Sequence, residues 1–364
     1  MKFAPVFLTL SAALLAGCAP QKETTTSSTT TQNSAASVTT TETASTSAST
    51  DTSASSETVS SVSTASDSTA DASAASTGAA SGATGAVTVG SKIDTEGALL
   101  CQITKLSLID AGFTVNDKCS TGTTNVVRKA LEQGEIDLYP EYTGSAIYIL
   151  NEGGAKIDEA VSRNAQQAYD TVKRLDADNG IMWLDHAPAN NTWAVAVPQK
   201  LADANNLNTM ADFGKWVAGG GKVKLAASQE FVDRDDALRA FEKTYGFQLK
   251  PDQLVIVPGG NTTQTETAAA QGTSGVNAAM AYGTDGAIGA LGLKALTDPE
   301  GAVAVYQPAL TVRKATLDKY PKIADVMNPL FAKLDEQTLS DLNGRIAVKG
   351  EDAAKVAQDW LNQQ

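Results

Sequence analysis

Histidine is almost missing from this 364-residue chain: His186 stands alone. A Ser-His-Asp catalytic site would have to use that residue, in "LDHAPANN", and no G-x-S-x-G elbow accompanies it. Cysteine is nearly as scarce, with three residues. No grouping of His, Cys or carboxylates has metal-ligand spacing, so no metal and no cofactor is expected. Positive charge is also short, at 28 Lys and Arg against 41 Asp and Glu, a net charge of −13. That balance argues against nucleic acid or an anionic membrane surface as the main partner. No apolar run after residue 18 is long enough to span a bilayer. "SKIDTEG", after the first predicted strand, lacks the glycine framework of a phosphate loop, and Lys92 precedes the helix instead of opening it. These absences leave little to support an enzyme.

The chain opens MKFAPVFLTLSAALLAGC, one lysine followed by an apolar stretch, which reads as a secretory signal over residues 1–18. Its Leu-Ala-Gly-Cys ending resembles the bacterial lipobox, which implies that Cys18 is acylated and becomes the first mature residue. Residues 19–86 are rich in Ser, Thr and Ala with essentially no aromatics. No core can be built from them, so a disordered tether is expected. About 65 flexible residues would reach on the order of 45 Å on average. The expected location is therefore the periplasm or the outer face of the cytoplasmic membrane.

From Val87 onward the pattern alternates between strand and helix. "AVTVGSK", "FTVNDK" and "IDLYP" read as strands, separated by a helix from Thr95 to about Ala111 and by "TTNVVRKALEQG", which stops at Gly134. A βαβαβ opening is the signature of a parallel sheet with crossover helices. Further strands are expected at "IMWLD", "TWAVAVP", "KVKLAAS", "QLVIVP", "VNAAMAYG" and "AVYQPALTVR". A long helix is expected near 157–178, and three more around 321–333, 335–345 and 352–362. The strand periods suggest an α/β fold in two lobes, the second inserted in the first. Cys101, near a helix start, and Cys119, near the end of the following strand, are a disulfide candidate in an exported protein. The short loop they would close is worth ~3 kcal/mol. Two free buried thiols are the alternative.

Open α/β sheets bind ligands at the carboxyl ends of their strands. Here those ends carry aromatics, cations and small polar residues. Lys92 ends the first strand, Tyr139 and Tyr142 the third, and Tyr282 ends "NAAMAYG". Asn191 and Trp193 open "NNTWAVAV", Arg234 follows "AASQEF", and Tyr306 begins the last strand. Taken singly, a strand-end tyrosine is ordinary packing with a wet hydroxyl, and a lone cation is ordinary surface charge. Converging aromatics and cations form a more specific pattern. In "GEIDLYPEYTG", Ile136 and Leu138 are read as buried, Pro140 as ending the strand, and Tyr139 as packing.

The stretches "VGSKIDTEG", "GTTNVVRKAL", "IDLYPEYTG", "APANNTWAVAV", "SQEFVDRDDAL", "TSGVNAAMAYGTDG" and "VRKATLDKYP" resemble osmoprotectant-binding proteins of the OsmF/YehZ type. These are ProX/OpuC-like substrate-binding proteins of ABC importers. The resemblance covers about 87–364 and implies a two-lobed type II periplasmic binding protein, with ligand held in the cleft between lobes. It further implies an aromatic box for a quaternary ammonium group, formed by Tyr142, Trp193, Tyr282 and Tyr306, with Trp193 where many relatives have tyrosine. Lys92 and Arg234 match carboxylate clamps, and Ser145 and Asn191 match small polar contacts. Thr284 neighbours the box. A zwitterion such as glycine betaine fits this set, whereas choline would leave the cations unpaired. The implied partners are an ABC permease and its ATPase, with the binding protein itself monomeric. The same two-lobed module would also suit a ligand-sensing subunit, and the tether alone would suit a surface stalk.

Overall fold

The structure, a computed structural model, describes residue 82 and residues 84–364. The signal segment, Cys18 and nearly all of the tether lie outside the described residues. No helix among the described residues is long and apolar enough to cross a membrane.

Two five-stranded sheets organise the chain. The first contains β1 (Ala86–Lys92), β2 (Thr114–Gly122), β3 (Leu138–Tyr142), β4 (Ile181–His186) and β10 (Pro308–Arg313), in the order β2-β1-β3-β10-β4. The second contains β5 (Trp193–Pro198), β6 (Leu225–Ala227), β7 (Leu254–Ile256), β8 (Ala278–Tyr282) and β9 (Leu293–Ala295), in the order β7-β6-β8-β5-β9. Each sheet has a parallel trio joined through helices, then one antiparallel strand inserted beside it. In both sheets that antiparallel strand is the one by which the chain arrives from the other sheet. The inner parallel strands β3 and β8 are buried on both faces, which is why β8 reads Ala-Ala-Met-Ala-Tyr with no alternation.

Helix α1 (Thr95–Asp110) follows β1, α2 (Thr124–Gln133) follows β2, and α3 (Thr143–Glu152) follows β3. Its cap differs from the expected Thr95. The Asp94 carboxylate accepts the Gly97 N–H at 2.8 Å, a stronger cap than a hydroxyl one residue on. Gly134 ends α2 as expected, at φ 76°. The predicted 157–178 helix is two helices, Glu159–Ser162 and Ala165–Asp178, because Asn164 turns its side chain onto the Gln167 N–H and starts a new one. The chain ends in helices Lys322–Phe331, Glu336–Ala347 and Ala353–Leu361, preceded by an unanticipated short helix, Lys314–Lys319.

Pro140 does not end β3, contrary to the sequence reading. It lies inside the strand, opposite Leu310 of β10. Amides alternate sides along an antiparallel strand. Thr143 N–H points to the β10 side, reaching Gln307 O at 3.1 Å, so Pro140 faces the side of β1. There the ladder consists of the single pair Val89–Leu138, and no donor is required. The last strand is also shorter than expected. Tyr306 precedes β10 because Ala304 and Tyr306 bond to Asn190, Asn191 and Thr192 instead of joining the sheet. The second sheet's strands are likewise short, "KVKLAAS" contributing only Leu225–Ala227.

Cys101 on α1 and Cys119 on β2 are joined, with Cα atoms 5.8 Å apart. β2 is an edge strand, and the bond staples it to α1.

The helix Glu336–Ala347 meets the segment after β8 backbone to backbone. A Cβ on Gly286 would lie 2.1 Å from Ser340 O and 2.5 Å from Gly344 N. Because backbone cannot yield as a side-chain tip does, Gly286→Ala should destabilise the fold by about 1–3 kcal/mol, read as a lowered urea midpoint. An unchanged midpoint would mean the two segments have room to separate.

Candidate ligand-binding site

β1, β3 and β8 end, and β5 begins, around one cavity of about 90 Å³. Lys92, Tyr142, Ser145, Asn191, Trp193, Tyr282 and Tyr306 all line it, together with Asp94, Glu230 and the start of α2 at Thr123 and Thr124. Two residues expected in the site, Arg234 and Thr284, do not line it.

Trp193 is the centre of the aromatic wall. Its ring centroid lies 4.9 Å from that of Tyr282, 6.1 Å from Tyr306 and 5.1 Å from Phe231. Trp193 Nε1–H donates to Tyr306 Oη at 2.8 Å, and Arg234 Nη2–H donates to the same oxygen at 2.8 Å. The Tyr306 ring rests on Gly144, where a Cβ would come within 2.4 Å of it, so this second residue of α3 has to be glycine. Tyr142 donates its hydroxyl to Glu96 at 2.9 Å. Burial raises the hydroxyl pKa values of Tyr142, Tyr282 and Tyr306, so the wall keeps its protons.

Both expected clamps are already paired. Lys92 Nζ lies 2.6 Å from Glu141 Oε1 and donates to Ser145 Oγ at 2.8 Å, while standing 4.9 Å from the Tyr142 ring centroid. Glu141 is fully buried and also accepts from Tyr139 Oη–H and Tyr142 N–H, both at 2.7 Å. Tyr139 therefore does more than pack: it anchors the carboxylate that neutralises Lys92. Arg234 sits behind the wall with four of its five N–H groups engaged. It grips Asp236 through Nε (2.8 Å) and Nη2 (2.7 Å), donates to Glu230 at 3.0 Å, and stacks on Tyr148 at 4.0 Å. Its local sequence, "EFVDRDD", carried the warning in the flanking acids.

Two carboxyl groups, Asp94 and Glu230, face the same cavity. Burial raises the Asp94 pKa, against the pull of the Gly97 N–H and Lys92. Burial also opposes ionisation of Glu230, but the charges of Arg234 and Lys92 prevail and its pKa is lowered. Thr284 is buried and bonds Glu96 at 2.5 Å. Glu96 itself was not anticipated as a site residue, because an acid in a helix's first turn reads as a dipole partner. The one grouping of possible metal ligands among the described residues is Cys101, Asp117 and Cys119, and the disulfide removes both thiolates.

Comparison with known proteins fits this geometry. A family profile for the substrate-binding domain of the ABC-type glycine betaine transport system matches residues 85–363. The glycine betaine-binding protein YehZ of Escherichia coli K12 is 52% identical over 282 residues, covering 77% of this chain and 91% of its own. A glycine-betaine-binding protein of Pseudomonas aeruginosa is 29% identical over 281 residues, 76% of this chain and 86% of its own. The apo structure of E. coli YehZ superposes with a TM-score of 0.57 over 76% of this chain and 98% of that one. The crystal structure described as a glycine betaine/carnitine/choline ABC transporter, 20% identical, reaches 0.60 over 76% and 98%. The architecture is thus the two-lobed type II binding-protein fold.

The Lys92–Glu141 pair gives a direct test of the site's wiring. Glu141→Gln leaves a buried ammonium without its counter-charge and should destabilise the protein by about 3 kcal/mol in urea denaturation. The double variant Lys92→Met/Glu141→Gln, which removes both charges and keeps an acceptor for Tyr139 and Tyr142, should recover most of that loss. A single variant as stable as wild type would show that Lys92 is solvated, not paired.

Proposed function

We propose, because this chain belongs to the family of substrate-binding domains of ABC-type glycine betaine transport systems, that it captures glycine betaine or a related quaternary ammonium osmolyte. It then delivers the ligand to a membrane permease driven by an ATPase. A trimethylammonium group has no N–H to donate, so ring faces must hold its diffuse charge, each contributing ~0.5–2 kcal/mol. The observation that carries the reading is the wall of Trp193, Tyr282 and Tyr306, with Tyr142 lining the same cavity. Glu230, held ionised by Arg234 and Lys92, faces the same cavity. For the carboxylate end we assign Lys92, Ser145 and Asn191. Arg234 and Thr284 act from behind the cavity, Arg234 by fixing Tyr306 and Thr284 through Glu96.

Lobe one would comprise 87–189 with 307–364 and lobe two 190–306, closing on ligand by hinges at 188–192 and 304–308. Acylation at Cys18 would hold the protein at the extracytoplasmic side of a membrane, as a monomer on its tether. Transport is preferred to receptor sensing because the matching family is one of transport systems.

Calorimetric titration with glycine betaine, choline, carnitine and proline tests the reading. Trp193→Ala should weaken glycine betaine and choline alike, by roughly tenfold. Lys92→Met/Glu141→Gln should weaken glycine betaine more than choline, which has no carboxylate. An absence of heat with every quaternary ammonium compound would sink the proposal, and so would equal, small effects from both variants.

A further inference from the structure

Glu96 is buried in the first turn of α1, 3% exposed, beside a cavity it does not line. Its two oxygens accept four hydrogen bonds from four separate segments. Oε1 takes Tyr142 Oη–H at 2.9 Å and Asn191 Nδ2–H at 3.0 Å. Oε2 takes Thr284 Oγ1–H at 2.5 Å and Asn343 Nδ2–H at 2.7 Å. Tyr142 ends β3 of the first sheet, Asn191 lies on the crossing segment, Thr284 follows β8 of the second sheet, and Asn343 is on the helix Glu336–Ala347. Asn343 also donates to Thr284 O at 3.1 Å.

We infer that Glu96 is a positioning residue for the proposed ligand site, an anionic latch that holds Tyr142 and Asn191 against both the second sheet and the C-terminal helices. The inference rests on the quaternary ammonium reading of the cavity. Only an ionised carboxylate can accept all four bonds, since a protonated one must turn one oxygen into a donor. That donor would face Tyr142 and Asn191, or Thr284 and Asn343, and either pair would lose at least one bond. The amides are poised for the change. Asn191 Oδ1 and Asn343 Oδ1 are both buried without a partner, so either amide could turn to accept from a protonated Glu96. Its bond in the present orientation would then be lost.

No direct partner of Glu96 carries a charge. Burial is therefore opposed only by the hydrogen bonds from Thr284, Asn343 and Tyr142, Asp94 adds repulsion, and the carboxyl pKa rises from 4.5 to about 7. Other ionisable groups stand one step back on each element. Lys92 and Glu141 flank Tyr142. Asp285, next to Thr284, is raised to about 6, with burial the main cause. Arg345, near Asn343, is taken by Glu351 and Asp359. The sign follows from the raised value. Glu96's contribution to folded stability is fully present below pH 4.5 and is lost as pH rises through about 7. The latch has the opposite dependence, complete above that pH and broken below it. Affinity and stability should therefore move in opposite directions across neutrality, which a merely structural carboxylate would not produce.

The test is glycine betaine titration of the full chain and of Glu96→Gln at pH 6 and pH 8, with unfolding midpoints at both. Wild-type affinity should fall about tenfold from pH 8 to pH 6, one charge-assisted hydrogen bond's worth. Glu96→Gln should bind at the weak pH 6 level at both. Thr284→Val, which leaves the carboxylate in place, should bind more weakly at pH 8 than wild type and serves if Glu96→Gln does not fold. Without ligand, wild-type stability should drop relative to Glu96→Gln between pH 5 and pH 8. Binding that is flat with pH and unchanged in Glu96→Gln and Thr284→Val overturns the latch but not the ligand reading. Silence toward glycine betaine at both pH values overturns the ligand reading, and a pH-independent stability difference then overturns the latch as well.

Discussion

The cleft depends on two chain segments that cross between the sheets side by side and bond to each other. Asn191 N–H reaches Tyr306 O at 2.9 Å, Tyr306 N–H reaches Asn190 Oδ1 at 2.8 Å, and Thr192 Oγ1–H reaches Ala304 O at 2.7 Å. These bonds take the place of sheet ladder. They set where β5 begins and β10 resumes, and so place Trp193 and Tyr306 within one wall. A pair of parallel tracks also limits how the sheets can move. Sliding one segment along the other would break several of these bonds at once.

Charge inside the cleft is arranged in compensated units. Lys92 is matched by Glu141, Arg234 by Asp236 and Glu230, and Glu96 by four neutral donors. Burying any of these groups alone would cost several kcal/mol. Together they make the cavity surround stiff, since each side chain is held at both its stem and its tip. Stiffness matters for a ligand gripped mainly by ring faces, because such contacts weaken quickly when a ring tilts away.

Much of this was legible in the sequence. Lys92, Tyr142 and Tyr282 could be placed at strand ends because apolar runs and turn residues mark such ends locally. The Gly134 stop and the C-terminal helices were readable for the same reason. Glu96 and Glu141 were not, since their meaning lies in partners far along the chain, up to 247 residues away for Glu96 and Asn343. An acid looks the same in sequence whether it caps a dipole or joins two sheets. Arg234 is a different case: its resemblance to a clamp gave no account of the acids at positions 230 and 236 that pair with it. Tyr306 was taken for the start of a strand because an alternating run does not reveal that a side-chain carbonyl has claimed its amide.

Pro140 sits in the middle of a buried strand with no amide to offer. Beyond Val89–Leu138 the neighbouring strand β1 has no further pair with β3. The two chains part there, and Lys92 and Glu141, each three residues past that last rung, fill the wedge with their ion pair. In the terms of a crystal, one absent donor is a point defect, and the polar site is the inclusion that grows from it. The chemistry of the cleft thus begins at a fault in the sheet, and a flawless ladder at that position would leave no place for a charge.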